Sequence, residues 1–274
     1  MSCGLSLEQT HPSIDCPTYD PYSPFIMMRS SNPTLSPTVF KNAGPVALGG
    51  AMTVNGTAVK TGILTALVLA SATWIWNSVA TGTVPALGGP ALIAGFIIPL
   101  VAGLVISFAP RTAPWLSPVY AVGEGLLLGL LSWMFEKQFH GIVLTSVLLT
   151  CGVLVAMLAA YMTGVIQATE KFRMGVFAAT GGIAVFYLIS MVLGMLGIHI
   201  PGLFGNGLIG IGFSVVVVVV AALNLVLDFD MIERGAAQGA PKYMEWYGAF
   251  ALLVTVVWLY MEILRLLSKL RSRD

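Results

Sequence analysis

The sequence predicts an all-α fold, a polytopic bundle whose helices cross a membrane seven times. Apolar residues make up 57% of the 274 residues and charged residues only 9%, whereas an average soluble domain carries about 25% charged residues. Seven stretches are long and apolar enough to cross a bilayer, which takes about 20 residues. The 13 basic residues nearly balance the 12 acidic ones, which excludes a polybasic protein that binds nucleic acid and an acidic disordered protein. We therefore expect the lipid bilayer, and no nucleic acid, as a partner.

The first 60 residues are predicted to lie outside the membrane. Residues 1–28 contain four prolines and many polar side chains, so they are predicted to form a disordered N-terminal extension. Met27 and Met28 directly precede the next segment, and we expect translation to start at Met1, Met27 or Met28. Residues 29–60 are predicted to form an arm beside the membrane, and residues 61–270 the transmembrane domain.

The predicted spans are separated by short polar segments. They cover residues 61–80, 86–109, 115–135, 142–166, 174–197, 207–228 and 246–268. Pro90 and Pro99 predict a kink in the second span. The sixth span contains consecutive valines at 215–220, which would suit a buried strand in a soluble protein. Its length and its lack of flanking turns predict a lipid-facing helix instead.

The charges of the loops predict the orientation of the bundle, because cytoplasmic loops carry an excess of lysine and arginine. With a cytoplasmic N-terminus, the cytoplasmic loops carry Arg111, Lys171, Arg173, Arg234 and Lys242. The opposite loops carry Lys137. The C-terminal tail conflicts with this orientation, because seven spans place four basic residues on the other side, Arg265, Lys269, Arg271 and Arg273. A re-entrant last segment would remove the conflict, but residues 245–270 contain no proline, and an unbroken helix best satisfies its backbone in lipid.

Three acidic residues lie inside predicted spans, where ionisable side chains are costly and mark functional sites. They are Glu124 in the third span, Asp228 at the end of the sixth and Glu262 in the last. Helical spacing predicts an interior face on the sixth span, formed by Ser214, Ala221, Asn224 and Asp228. It predicts another on the last span, formed by Gly248, Ala251, Thr255, Trp258, Glu262, Arg265 and Lys269. Asp230 follows Asp228 by two residues and is predicted to point to the loop.

Each of these acids has a structural and a functional interpretation. Structurally, Glu262 can form an ion pair with Arg265, three residues on, and Asp228 can be a carboxylate at a helix end. Glu124 can be a neutral acid held by hydrogen bonds. The functional interpretation is a site that holds protons or cations. Close carboxylates share a proton and titrate as a coupled pair, and in the deprotonated form they attract a hard divalent cation such as calcium.

Motifs of enzymes and of structural metal sites are missing from the sequence. It lacks the HExxH motif of metalloproteases, the GxSxG motif of hydrolases and the GxxxxGK[ST] motif that binds phosphates. Cys3, Cys16 and Cys151 lack the spacing of metal ligands or of a disulfide framework. We expect neither an enzyme nor a cofactor, and calcium only as a permeant or bound ion.

Five segments of the sequence are the most specific for a known protein family. They read RSSNPTLSPTVF, MTVNGTAVKTG, YAVGEGLLLG, LVLDFDMIERGAAQGAPKYMEWYGAF and WLYMEILRLLSKL. From about residue 28 to its C-terminus the chain resembles the bacterial branch of the Bax inhibitor-1 family. The resemblance implies a seven-helix bundle with the last helix at its centre, in the bacterial inner membrane, that acts as a pH-sensitive calcium leak. It also implies that Asp228 and Glu262, in LYME, are the two acids that share protons, and that Arg111 is the candidate for an arginine that pairs with the first acid.

The depth of the two acids determines whether they can meet. Glu262 follows Trp246 by 16 residues, about 24 Å of helix, whereas Asp228 is expected near the cytoplasmic face. The acids can meet only if the last span begins later than Trp246 or is re-entrant, so residues 243–251 are predicted to be a cytoplasmic extension of that helix.

Functions other than a leak remain open. The alternative is a membrane-embedded regulator that binds another membrane protein, such as a quality-control protease, without transport. A proton-coupled transporter is disfavoured, since no inverted repeat is apparent in the sequence.

Overall fold

The computed structural model describes residues 50–84, 90–196, 205 and 207–273, with side chains in the second helix from residue 93 onward. Helices joined by short connections form this part of the chain. They are α1 (Val54–Ala80), α2 (Pro90–Phe108), α3 (Ala113–Gln138), α4 (Ile142–Met162), α5 (Glu170–Met195), α6 (Leu208–Ala237) and α7 (Met244–Arg271), with a 3-10 turn at Pro110–Thr112. The predicted extension 1–28 and most of the predicted arm 29–60 lie outside the described residues.

Six of these helices are long and apolar enough to cross a membrane, and the apolar part of α2, Ile93–Phe108, is shorter. The prediction of an all-α polytopic membrane bundle is therefore confirmed. The valine run lies inside α6, so its assignment to a helix is also confirmed. This helix faces lipid only in part, because Val217 is buried while Val216 is exposed.

Consecutive helices run in opposite directions, so the bundle has two ends. The first end holds the start of α1, the 3-10 turn and the loops 163–169 and 238–243. The second end holds residues 81–84, 139–141 and 272–273.

The first helix begins earlier than predicted. Thr53 has an extended backbone, with φ −128° and ψ 149°, and its side chain accepts a hydrogen bond from the backbone N–H of Gly56. A threonine in this position caps a helix by satisfying one of its free N–H groups. Residues 54–60 are therefore helical, so the helix begins seven residues before the predicted span at 61–80. In α2, Pro90 is the first helical residue, where its missing N–H is tolerated, and Pro99 lies inside the helix.

The last two helices extend further than the predicted spans. The sixth continues to Ala237, nine residues past Asp228, so the prediction that Asp228 ends this helix is wrong. The added turns hold Asp230 and Arg234, which neutralise each other's charge at a distance of 3.0 Å. The last helix is unbroken over 28 residues and begins at Met244, so the predicted helical extension over 243–251 is confirmed from Met244 onward.

The starts of α1 and α7 are joined by Glu245, which no sequence pattern singled out. Its carboxylate is fully buried and accepts hydrogen bonds from the backbone N–H and the hydroxyl of Thr53, at 3.0 and 2.9 Å. It also forms ion pairs with Lys60 on α1 and with Lys242 in the loop before α7. A Cβ atom on Gly56 would overlap with this carboxylate, so glycine is required beside it.

The last helix packs against α1, α3, α4 and α6, and it is the most buried of the candidate spans. Its neighbours α1 and α3 approach each other closely because α3 carries Gly125 and Gly129 on the shared face. A Cβ atom on Gly129 would lie 2.5 Å from the carbonyl oxygen of Ala72, which leaves no room for a side chain. Small residues at a four-residue spacing therefore set the distance between these two helices.

Candidate functional site

A line of polar and charged side chains runs between α5, α6 and α7, and we call it the polar column. Helix α5 contributes residues at a spacing of seven, which lie on one face of a helix. The members from the first end to the second are Arg234, Arg173, Asp230, Asp228, Thr180, Asn224, Tyr187, Glu262, Arg265, Ser214 and Lys269. The column extends through the part of the bundle that apolar side chains would otherwise fill.

At the first end of the column, Asp230 forms ion pairs with two arginines. Its carboxylate lies 2.8 Å from Nη2 of Arg173 on α5 and 3.0 Å from Nε of Arg234 one turn along α6. Asp230 is 6% exposed and Arg173 is 3% exposed. The prediction that Asp230 points to the loop is therefore wrong. The reason is that α6 continues through this position, so its side chain faces the start of α5.

The middle of the column contains Asn224 and Asp228, one turn apart on α6. The amide nitrogen of Asn224 donates hydrogen bonds to the hydroxyl of Thr180 and to the carbonyl oxygen of Val220, both at 2.8 Å. Asp228 is 0% exposed. Both other residues predicted on this face, Ser214 and Ala221, are also buried, so the predicted interior face of the sixth helix is confirmed.

The second end of the column is built around Glu262, which is 2% exposed. Its carboxylate accepts a hydrogen bond from the Tyr187 hydroxyl at 3.1 Å and lies 3.0 Å from Nη1 of Arg265. The i,i+3 ion pair with Arg265 is thus present, as the structural interpretation of Glu262 predicted. One turn further, the ammonium of Lys269 donates to the hydroxyl of Ser214 at 2.9 Å and to the carbonyl oxygen of Gly210 at 3.0 Å.

Asp228 and Glu262 lie at different depths in the bundle. Ile232 on α6 packs beside Gly248 on α7, and Lys269 on α7 donates hydrogen bonds to Gly210 and Ser214 on α6. Interpolation between these two levels puts Glu262 roughly 12–15 Å further along the bundle than Asp228, at about 1.5 Å per residue. The helix extensions reduce the offset that the sequence predicted but do not remove it. The two carboxylates are therefore too far apart to share a proton directly in this conformation.

The other two predicted site residues lie away from the column. Glu124 is on α3, where it lines a cavity with Tyr120 and the α7 residues Phe250 and Val254. Arg111 is exposed in the 3-10 turn, and it forms no ion pair with any residue that the structure describes. The structure thus brings neither Glu124 nor Arg111 to Asp228.

Arg173 pairs with a buried acid of the sixth helix, Asp230, whereas the candidate Arg111 pairs with no acid in the described part of the chain. Arg173 was counted from the sequence only as a loop charge, whereas its side chain is buried against Asp230. A signal was present: Arg173, Thr180 and Tyr187 recur at every seventh position of the fifth span. Polar residues at that period predict one polar face on an otherwise apolar helix.

A vestibule opens at the first end of the column, with a cavity volume of about 550 Å³. Asp230 and Arg234 form part of its wall, and the loop 163–169 forms most of the rest. Glu233 lines it as well and accepts a hydrogen bond from the Tyr161 hydroxyl. In the described part of the chain, no group of three or more His, Cys, Asp or Glu side chains is arranged to hold a metal ion.

Comparison with known proteins identifies a family for this chain. A family model described as Bax inhibitor 1 like matches residues 27–272, which is nearly the whole chain. No curated protein and no solved structure matches the chain.

Proposed function

We propose, from the premise that this chain belongs to the Bax inhibitor 1 like family, that it forms a passive, pH-sensitive leak for cations, with calcium as the candidate ion. The observation that carries the proposal is the polar column. Ionisable groups inside a membrane are costly and line ion or proton pathways in membrane proteins. Two buried acids, Asp230 and Glu262, bond with other members of this column, and a third, Asp228, is buried on α6 one turn after Asn224.

The leak is closed in the conformation described here. At the first end, Arg173 and Arg234 neutralise Asp230 directly behind the vestibule. At the second end, Arg265 neutralises Glu262 in an ion pair, and Lys269 fills the space beside Ser214. A cation would meet a positive guanidinium or ammonium group at both ends, so passage requires that these ion pairs separate.

Protonation provides a way to separate the ion pair at the first end. A protonated Asp230 has no charge, and its bond to Arg173 then loses the strength of a charge-assisted hydrogen bond. Arg173 is released, and the vestibule gains access to Asp228 in the middle of the column. Flux should therefore rise as the pH falls. Asp228 would supply carboxylate oxygens, the ligands that calcium prefers.

The proposal also assigns the protein to a membrane and gives its orientation in that membrane. We assign the chain to the bacterial inner membrane with its first end in the cytoplasm, since that end carries more of the basic loop residues. The unbroken last helix supports seven crossings and an external C-terminus. A reporter fused after residue 274 tests the orientation: an external signal supports seven crossings, and a cytoplasmic signal contradicts them.

Calcium flux into proteoliposomes, measured with a trapped fluorescent indicator between pH 6 and pH 8, tests the leak. Asp230→Asn should give high flux at every pH, because the ion pair with Arg173 is lost. Arg173→Gln should do the same, and it retains the partner Arg234 for Asp230. Asp228→Asn should lower the flux, because the acid in the middle of the path is neutralised.

Glu170→Gln is the matched control, because Glu170 is exposed and lies 3.5 Å from Arg173 at the rim of the cluster. It should keep the flux and pH response of the unmodified protein. If the protein gives no more flux than empty liposomes at any pH, the leak is refuted. The regulator that binds another membrane protein would then be the better account of the buried charges.

A further inference from the structure

Glu124 belongs to a separate cavity on the other side of the last helix. The cavity has a volume of about 390 Å³ and lies between α2, α3 and α7. Its walls are mostly apolar, and the lining residues include Phe96, Leu104, Tyr120, Glu124 and Phe250. The leak proposed above does not use this cavity.

The carboxyl group of Glu124 lies deep in the membrane-spanning part of the chain. It follows the start of α3 at Ala113 by 11 residues, which corresponds to about 16 Å of helix. The Tyr120 side chain, one turn earlier on the same helix, lines the same cavity. No basic side chain forms an ion pair with Glu124 within the residues that the structure describes, in contrast to Asp230 and Glu262.

Two aromatic rings stand beside this carboxyl group. Tyr120 and Phe250 pack edge to face with their centroids 4.8 Å apart, and both line the cavity. Space remains in front of them because residue 103 is glycine. A Cβ atom at Gly103 would lie 3.5 Å from the Tyr120 ring and 3.8 Å from the Phe250 ring, which is ordinary contact.

We propose that this cavity binds a lipophilic organic ammonium ion from the bilayer. The positive nitrogen would lie against the carboxylate of Glu124 and the aromatic rings, which attract cations, and the alkyl chain would lie along Phe96 and Leu104. A single carboxylate matches the single charge of an ammonium ion. Calcium requires six to eight oxygen ligands, which these walls do not offer.

The test uses the purified protein in lipid nanodiscs and the hydrophobic reagent dicyclohexylcarbodiimide. This reagent adds to a protonated carboxyl group in apolar surroundings and leaves a stable N-acylurea, with no leaving group. Mass spectrometry of peptides then reports the modified fraction of Glu124. The ligand probe is N,N-dimethyldodecylamine, a tertiary amine that cannot form an amide with the activated acid.

We expect modification of Glu124 to fall as the amine is added. At an amine concentration ten times its Kd, mass action leaves the site free about tenfold less often, and modification should fall by the same factor. Dodecanol, which has the same chain without a charge, should not protect. Each sample receives the same amount of reagent per lipid, so that a fall in modification reports protection by the amine.

Two variants distinguish binding of the amine in the cavity from a general effect of the amine on the membrane. Gly103→Leu fills the space but keeps the carboxyl group, so protection by the amine should disappear. Gly152→Leu is its control, because a Cβ atom at Gly152 on α4 meets nothing within 4 Å, and protection should be retained. The proposal is overturned if Glu124 is not modified, if amine and alcohol protect equally, or if Gly103→Leu leaves protection unchanged.

Discussion

The ion pair between Arg173 and Asp230 gives the most direct test of the architecture of the polar column. The perturbation is a pair of substitutions that replace each charge by an apolar side chain of similar size, Arg173→Met and Asp230→Leu. The side chains are 4% and 9% exposed, so neither charge left alone can reach water easily. The two residues are 57 positions apart in the sequence and connect the start of α5 to the end of α6.

The expected magnitudes differ between the two single variants. Asp230→Leu leaves Arg173 buried without its main partner, and breaking a buried pair in this way costs about 3–5 kcal/mol. Arg173→Met leaves Asp230 paired with Arg234, so only a hydrogen bond to a charged group is lost, about 1.5–3 kcal/mol. In the double variant no fully buried charge is left alone, because the remaining Arg234 is 33% exposed, and the combined change should be nearly neutral. The coupling energy, which is the sum of the two single losses minus the loss of the double variant, should thus be about 4.5–8 kcal/mol.

The assay is reversible unfolding of the purified protein in micelles, followed by steric trapping, with thermal unfolding as a second measurement. Glu170→Gln serves as control, because that side chain is 51% exposed and its contribution should stay within about 0.5 kcal/mol. A double variant that loses as much stability as the sum of the singles would refute the buried ion pair. A loss below about 1 kcal/mol in Asp230→Leu would refute it as well.

Three further predictions concern other parts of the molecule. The effects of Asp228→Asn and Glu262→Gln on the pH response of calcium flux should add in the double variant, because residues more than about 7–10 Å apart rarely couple. A double variant that behaves like either single variant would instead support a shared proton. Gly129→Leu should prevent α1 and α3 from packing and lower the yield of folded protein. Gly152→Leu should fold normally, because a Cβ atom at that position would meet nothing within 4 Å. Removal of residues 1–27 should leave membrane insertion and flux unchanged, as measured by membrane fractionation and the liposome assay, because the family match begins at residue 27.

The sequence alone predicts those features of the fold that depend on the residue pattern within a single helix. Apolar runs located every α-helix that the structure describes, and the three- and four-residue spacing on the last span predicted the buried face that includes Gly248, Thr255 and Glu262. The pair of Glu262 with Arg265 was also predictable, because both residues lie on one helix. These features follow from helix geometry alone.

The features that sequence reasoning missed depend on contacts between distant segments. Glu245 pairs with Lys60 across 185 positions, and no periodicity along the chain reports that contact. The orientation of Asp230 was mispredicted because the end of α6 was placed nine residues too early. The apolar run did not reveal the last turns of α6, because they hold charged residues such as Asp230, whose partner Arg173 lies elsewhere in the sequence.

The contact between Glu245 and the start of α1 has a consequence for the order of biosynthesis. Lys60 enters the membrane with the first helix, whereas its counter-charge arrives only with the last. Until then the N–H group of Thr53 also lacks the carboxylate that it bonds in the finished protein. A chain that stops before α7 therefore retains an uncompensated lysine near the membrane surface, and synthesis of the last helix is the step that neutralises the first.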